Sequence, residues 1–231
     1  MNKMTKLAAA IALASGAFAA TPVMAESETS ATVGFVSDYY FRGFQYGDAA
    51  AYASVDYANG GFYAGAWAID YGNDGDDGAD GAIEVDLYAG YAIEFENGLS
   101  LDLGVVQYEY TDSADDETEI SLTAGFGAFS VNYTDGEDNN EGHDYDYEVY
   151  SISWSGEVFG VTYGHFENDE ETDGAGDDYE HDWIEVTASG EVAGLDMTLA
   201  IGTTENVEVA SEDDAGSDGY IILDISKSFD L

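Results

Sequence analysis

The sequence predicts an all-β protein, a transmembrane antiparallel up-and-down β-barrel of about twelve strands, on three observations. Apolar residues recur at every second position from residue 30 to the end, with no helical spacing of any length. The alternating segments run to about nine to eleven residues, the length of a tilted strand that crosses a bilayer. The connections alternate between very short and long, and the long ones are acidic.

The first 25 residues stand apart. Lys3 and Lys6 precede the apolar run LAAAIALASGAFAA, and Val23 and Ala25 suit a signal peptidase site before the acidic start at Glu26. Residues 1–25 therefore read as a cleaved secretory signal peptide and residues 26–231 as one barrel. The full chain has 49 acidic residues against 4 basic ones, a formal charge of -45, and cleavage would leave Arg42 and Lys227 as its basic residues. Such a charge excludes nucleic acid as a partner, because both would be polyanions. Adaptation of an exported protein to salt accounts for the charge as well as a selective pore does. There is no cysteine, so a sheet must hold the exported chain together. The 18 Tyr, 11 Phe and 3 Trp need a buried or lipid-facing surface, which argues against disorder.

The strands are expected at about 32–42, 50–58, 62–71, 83–95, 99–110, 119–126, 129–134, 147–154, 158–166, 183–189, 195–203 and 220–231. In the first, Val33, Phe35, Tyr39 and Phe41 share an apolar face, and Thr32, Gly34, Asp38, Tyr40 and Arg42 share the other. IEVDLYAGY sets Ile83, Val85 and Leu87 against Glu84, Asp86 and Tyr88; LSLDLGV sets Leu99, Leu101 and Leu103 against Ser100 and Asp102. NGG at 59–61, ENG at 96–98, the pair at 127–128, SGE at 155–157 and GEVAG at 190–194 are the short turns. Acidic loops at 72–81, 111–118, 135–146, 167–181 and 204–219 occupy the opposite end. Closure satisfies every backbone group and leaves no edge. Glycines within strands, among them Gly34, Gly65, Gly90 and Gly202, mark close packing or curvature. Lys227 falls on the apolar face, near enough to the rim to snorkel.

The pattern SDY-x-x-RG, on Ser37, Asp38, Tyr39, Arg42 and Gly43, together with IEVDLYAGY and the closing SKSFDL, resembles the TorF-like bacterial porin family over nearly the whole mature chain. The resemblance implies an outer-membrane barrel that passes small solutes. The chain departs from that family in its very acidic loops and in ending on Leu231, where a closing aromatic is usual.

Strand parity places Arg42 in the lumen with Asp38 and Tyr40. There it is expected to tie strands by bidentate bonds to Asp56, Glu84 or Asp86, or to face a ring of acids at a constriction. The inward acids Asp38, Asp56, Glu84, Asp86, Asp102, Glu119, Glu185, Asp196 and Asp224 outnumber inward bases, so the lumen should admit cations. The expected partners are lipid, lipopolysaccharide, the barrel assembly machinery, and small hydrophilic solutes or cations. Asp74, Asp76, Asp77 and Asp80 form a weak calcium motif without EF-hand spacing, in loops more readily explained by solvation. His143, His165 and His181 read as surface residues near loops. No G-x-S-x-G motif occurs, and neither an enzyme nor a cofactor is expected. Tyr57, Phe62, Tyr63, Tyr71, Tyr91, Phe95, Trp154, Phe159 and Trp183 gather near strand ends as interfacial girdles. Two alternatives remain: a plugged structural or adhesive barrel whose acidic loops bind divalent cations, and an exported soluble β-sandwich.

Overall fold

The computed structural model describes residues 24–70, 72, 82–111, 116–140, 143–169, 180–208 and 217–231. Strands follow one another as β1 (Met24–Val36), β2 (Tyr39–Phe41), β3 (Phe44–Gly47), β4 (Ala50–Gly60), β5 (Phe62–Asp70), β6 (Ile83–Glu94) and β7 (Leu99–Tyr110). They continue as β8 (Asp116–Phe126), β9 (Phe129–Asn140), β10 (His143–Ser155), β11 (Phe159–Asp169), β12 (Glu180–Val192), β13 (Leu195–Glu208) and β14 (Ser217–Asp230). Twelve of them close an antiparallel barrel, in which each strand from β4 to β14 pairs with the next in sequence and β1 joins β4 and β14. The closed cylinder removes the sandwich alternative.

The period-two pattern settles which side faces out. Val33, Val55, Leu87, Leu103, Ile120, Leu122, Val131, Ile152, Val186 and Ile201 form an exposed apolar belt. Their sequence neighbours Thr32, Ser54, Asp86, Asp102, Glu119, Ser121 and Glu185 are buried inside. A wall that is apolar outside and polar inside is stable where lipid replaces water on the outer face. At the short-turn end Tyr57, Phe62, Tyr91, Phe95, Trp154 and Phe159 are exposed, the girdle expected there. Lys227, outward on β14, donates to the Gly194 carbonyl in the β12–β13 turn, so its charge caps a rim turn.

The first expected strand is corrected. It does not run from 32 to 42, because β1 ends at Val36 and the chain bends at Ser37 and Asp38. Ser37 holds the bend to β14: its N–H donates to the Leu223 carbonyl, and its Oγ accepts from the Leu223 N–H, each at 2.9 Å. The chain then forms a separate two-stranded hairpin, β2–β3, which pairs with no wall strand. Phe41 pairs with Phe44 across a two-residue loop, Arg42–Gly43, with φ of 51° and 86°. Two successive positive φ angles are the pattern of a type I′ turn, which suits the twist of a hairpin. Glycine takes this backbone freely, but arginine rarely does.

Several acidic stretches expected as loops are strand. β9 and β10 remain paired from Phe129–Trp154 out to Asn140–His143, and β13 extends to Glu208. The apolar alternation stops where lipid stops, but the backbone ladder needs no apolar side chains to continue into water. Asp74, Asp76, Asp77, Asp80 and Tyr71 lie outside the described residues, as do residues 1–23.

Candidate functional site

The hairpin enters the lumen from the long-loop end and crosses it. Arg42, at its tip, donates from both terminal guanidinium nitrogens to Glu119 on β8, at 2.5 and 2.9 Å. In the order of the closed barrel, β8 lies nearly opposite β1 and β4, from which the hairpin springs. His181 on β12 lies 2.8 Å from the Arg42 carbonyl through Nε2, and Thr204 on β13 donates to the Gly43 carbonyl at 2.6 Å. Three wall strands therefore hold the tip. Arg42 is 5 % exposed and Glu119 1 %, so the pair is shielded from water. Burial alone would lower the pKa of the guanidinium, but the adjacent Glu119 carboxylate outweighs it and the net shift is upward. Arg42 also lies 4.5 Å from the centre of the Phe41 ring, a cation–π contact.

Arg42 is thus in the lumen, as strand parity predicts, but it arrives there on an inserted hairpin, and its partner is Glu119 instead of Asp56, Glu84 or Asp86. The same insertion corrects Tyr39 and Phe41, which the alternation assigns to the lipid face. Tyr39 is 4 % exposed and donates to Glu84 at 2.8 Å. Tyr40 stacks on Tyr220 of β14, with ring centres 4.4 Å apart and planes 20° apart. Val36, Tyr52, Trp67, Ile69, Tyr220 and Ile222 form an apolar cluster inside the outer half of the barrel, beneath Tyr40 and Phe41. Asp38 is half-buried in the bend that leads to the hairpin.

The inward acids fall into two sets. Glu84, Asp86, Glu119 and Glu185 are buried toward the long-loop end, where the hairpin docks. Asp56, Asp102 and Asp196 lie toward the short turns, and Asp224 lies between the sets. Most of these carboxylates share one device. Tyr52, Tyr63, Tyr88, Tyr147 and Tyr220 each lie across an inward glycine of the adjacent strand: Gly34, Gly90, Gly65, Gly136 and Gly202 respectively. Each hydroxyl reaches a carboxylate one strand further on. Tyr52 donates to Asp224 at 2.8 Å, Tyr63 to Asp102 at 2.8 Å, Tyr147 to Glu119 at 2.8 Å and Tyr220 to Glu185 at 3.2 Å. Tyr88 donates to Asp56. A side chain on any of these glycines would overlap the ring, so the glycine lets the ring lie flat on the wall. The period-two pattern shows inward glycines and inward tyrosines, but only the strand register shows that they pair.

A hydrogen bond to a charged group contributes about 1.5–3 kcal/mol. Tyr63→Phe, which leaves Asp102 without its donor, is expected to lower the free energy of unfolding of the barrel in lipid vesicles by that order, and with it the urea midpoint. A midpoint equal to wild type would show that water replaces the hydroxyl at no cost.

Other aromatic and histidine positions need correction. Trp183 is 4 % exposed and lies over Gly164 inside the barrel, and Tyr63 also points inward, so neither belongs to a girdle. His181 is fully buried between Phe44, Phe166 and Trp183 and is no surface residue. His165 is outward, with Nδ1 2.9 Å from Asp182 and Nε2 3.6 Å from Glu167. His143 forms part of β10. Among the described residues no cluster of His, Asp and Glu has the arrangement of a metal site. Sequence reasoning missed Glu117, half-buried at the outer end of β8, which accepts from Tyr110 at 3.0 Å and Tyr147 at 3.1 Å.

A closed twelve-strand antiparallel cylinder with an apolar exterior and a polar interior defines the chain as a β-barrel of the porin fold. The chain belongs to the Gcw_chp family, described as a bacterial protein of unknown function, whose model matches residues 19–221. The narrower TorF-like likeness is not what this match establishes. No curated protein matches the sequence. Among solved structures the chain is similar to the KdgM porin, with a TM-score of 0.54 at 10% identity, covering 87% of this chain and 99% of that one. A second structure, the KdgM porin in complex with disordered oligogalacturonate, gives a TM-score of 0.52 at 8% identity, covering 88% and 99%. The outer membrane protein OprD from Pseudomonas aeruginosa gives 0.47 at 10% identity, covering 88% and 66%.

Proposed function

We propose that the chain is an outer-membrane channel for passive diffusion of ions and small hydrophilic solutes, that it prefers cations, and that the β2–β3 hairpin narrows it. The observation that carries this reading is the inner wall. Asp56, Asp102, Asp196 and Asp224 face the lumen below the hairpin, and the lumen's one described arginine is already neutralised by Glu119. Unit charges about 4 Å apart interact by about 1 kcal/mol in water and more strongly in a narrow pore, so the uncompensated carboxylates favour cations. The TorF-like resemblance and the fold shared with the KdgM porin support the channel class. Export through a signal peptide cleaved after Ala25, insertion by the barrel assembly machinery, and contact with lipid and lipopolysaccharide belong to the same proposal.

Planar-bilayer recordings of the mature chain under a KCl gradient test it. The expected reversal potential has the sign of potassium permeation, and Asp102→Asn is expected to move it toward zero. A potential of chloride sign would overturn the cation preference. The second reading, a plugged structural barrel, is favoured by the span of the hairpin across the lumen. Absence of current both in wild type and in a chain whose residues 39–47 are replaced by a short Gly-Ser linker would establish that reading instead.

A further inference from the structure

We propose that Glu84 and Asp86 of β6 form a proton-controlled latch beneath the hairpin: one proton shared between them keeps β2–β3 seated across the lumen, and its loss at alkaline pH releases the hairpin. The inference rests on the proposed role of the hairpin as the constriction, and it names what regulates that constriction.

The two carboxyl groups follow each other on the inner face of β6 and are 3 % and 4 % exposed. They are hydrogen-bonded to each other. Two carboxylates repel and neither has a hydrogen to donate, so this bond requires a proton between them. Asp86 is the holder. Its Oδ1 is buried without a hydrogen-bond partner, which a neutral carboxyl tolerates better than a charged one. Glu84 then accepts two bonds, one from Asp86 and one from the Tyr39 hydroxyl of the hairpin at 2.8 Å.

Among the described residues no cation is free to neutralise the pair. β7 sets Tyr110 opposite Glu84 and Tyr108 opposite Asp86, β5 sets the uncharged Ile69 and Trp67 there, and Tyr88 follows on β6 itself. β8 adds the carboxylates of Glu117 and Glu119, and the hairpin adds Tyr46 beside Tyr39. Arg42 is the cation of the group, and Glu119 engages both of its terminal nitrogens. Ionising Asp86 therefore places one more negative charge in a buried site where carboxylates already outnumber the guanidinium.

The hairpin is the element that yields. Tyr39 covers Glu84 and packs on Trp67 with ring centres 6.0 Å apart, and β2–β3 pairs with no wall strand. Lifting it admits water to both carboxyls, and a hydrated carboxyl loses its proton above about pH 4. The seated state thus holds one proton more than the released state. Release is favoured as pH rises, by about tenfold per unit, until the seated pair ionises as well.

The chain has no cysteine, so Gln45→Cys, exposed on β3, carries a single spin label. With the labelled mature chain folded in lipid vesicles, the mobile fraction of the label is expected to grow as pH is raised from about 5 to about 9. Asp86→Asn keeps the shape and a donor toward Glu84 but has no carboxyl proton to lose, and is expected to hold the label immobile throughout. A mobile fraction that stays flat or falls with pH in the otherwise wild-type chain, or that rises as steeply in a folded Asp86→Asn barrel, would overturn the proposal. Should Asp86→Asn fail to fold, the wild-type titration decides alone. A hairpin that frees at alkaline pH in a barrel that passes no current at any pH would leave the latch standing and remove the channel.

Discussion

Arg42→Ala is expected to free the hairpin from the far wall and raise single-channel conductance several-fold, while the barrel itself stays folded. The contact is a buried bidentate ion pair, and removing one partner strands the other. Breaking such a pair costs about 3–5 kcal/mol, largely because the remaining charge is left unpaired in a poor solvent. Glu119 keeps hydrogen bonds from Tyr108 at 3.0 Å and Tyr147 at 2.8 Å, which soften the loss on the wall side but do not hold the hairpin. Once Arg42 is gone, the tip retains the contacts of His181 and Thr204 with its two carbonyls. The wall strands keep all their ladders, because the hairpin pairs with none of them. The loss is therefore local, an opening of one segment and not of the whole domain.

Limited proteolysis of the intact barrel should cut Arg42→Ala within residues 37–49 under conditions that spare wild type, alongside the larger current. Glu119→Ala should do the same, and the double variant should be no worse than either single one, since both remove a single interaction. Wild-type conductance with a protected hairpin would mean that the aromatic contacts of Tyr39, Tyr40 and Phe44 suffice. The backbone adds to the argument for a specific role. Arginine at a φ of 51° occupies a conformation that glycine or asparagine takes more easily, so the position is explained by the side chain and not by the turn.

The barrel was legible because lipid and water impose a contrast along every strand. Glu84, Asp86, Asp102, Glu119 and Glu185 face inward as their parity predicts. The hairpin was not legible for the same reason. Tyr39 and Phe41 alternate with Tyr40 and Arg42 as a wall strand would, and a period of two marks a strand without saying which sheet it joins. A lumen lined partly by rings accepts aromatic residues on either side, which erases the contrast at residues 37–47. The Arg42–Gly43 dipeptide between two phenylalanines carried the one local hint of a tight turn. The Arg42–Glu119 pair, 77 residues apart, depends on the tip reaching across the lumen, and no spacing within the chain encodes that. Likewise the long outer strands are held by backbone pairing between acidic residues, such as Glu137 opposite Asp146, whose composition resembles that of a loop.

Gly202→Val should be strongly damaging to the wall, although valine favours strands and glycine does not. A Cβ at Gly202 would overlap the ring of Tyr220, its cross-strand neighbour. The ring must then leave the wall. Swung into the lumen, it gives up the hydrogen bond to Glu185 and the stack on Tyr40, through which it supports the hairpin. Overpacking costs about 1–3 kcal/mol and the lost bond to a carboxylate about 1.5–3, so the two together outweigh any gain in propensity. Gly190, on β12, is the internal control. A Cβ there meets nothing within 4 Å, and Gly190→Val should therefore fold as well as wild type or better. Urea unfolding in vesicles separates the accounts. If valine at 202 and at 190 shift the midpoint equally, the glycines matter for backbone freedom and not for the ring. If the damage at 202 is relieved by adding Tyr220→Ser, which shrinks the overlapping side chain, the flat packing of tyrosine on glycine is what holds this stretch of wall together.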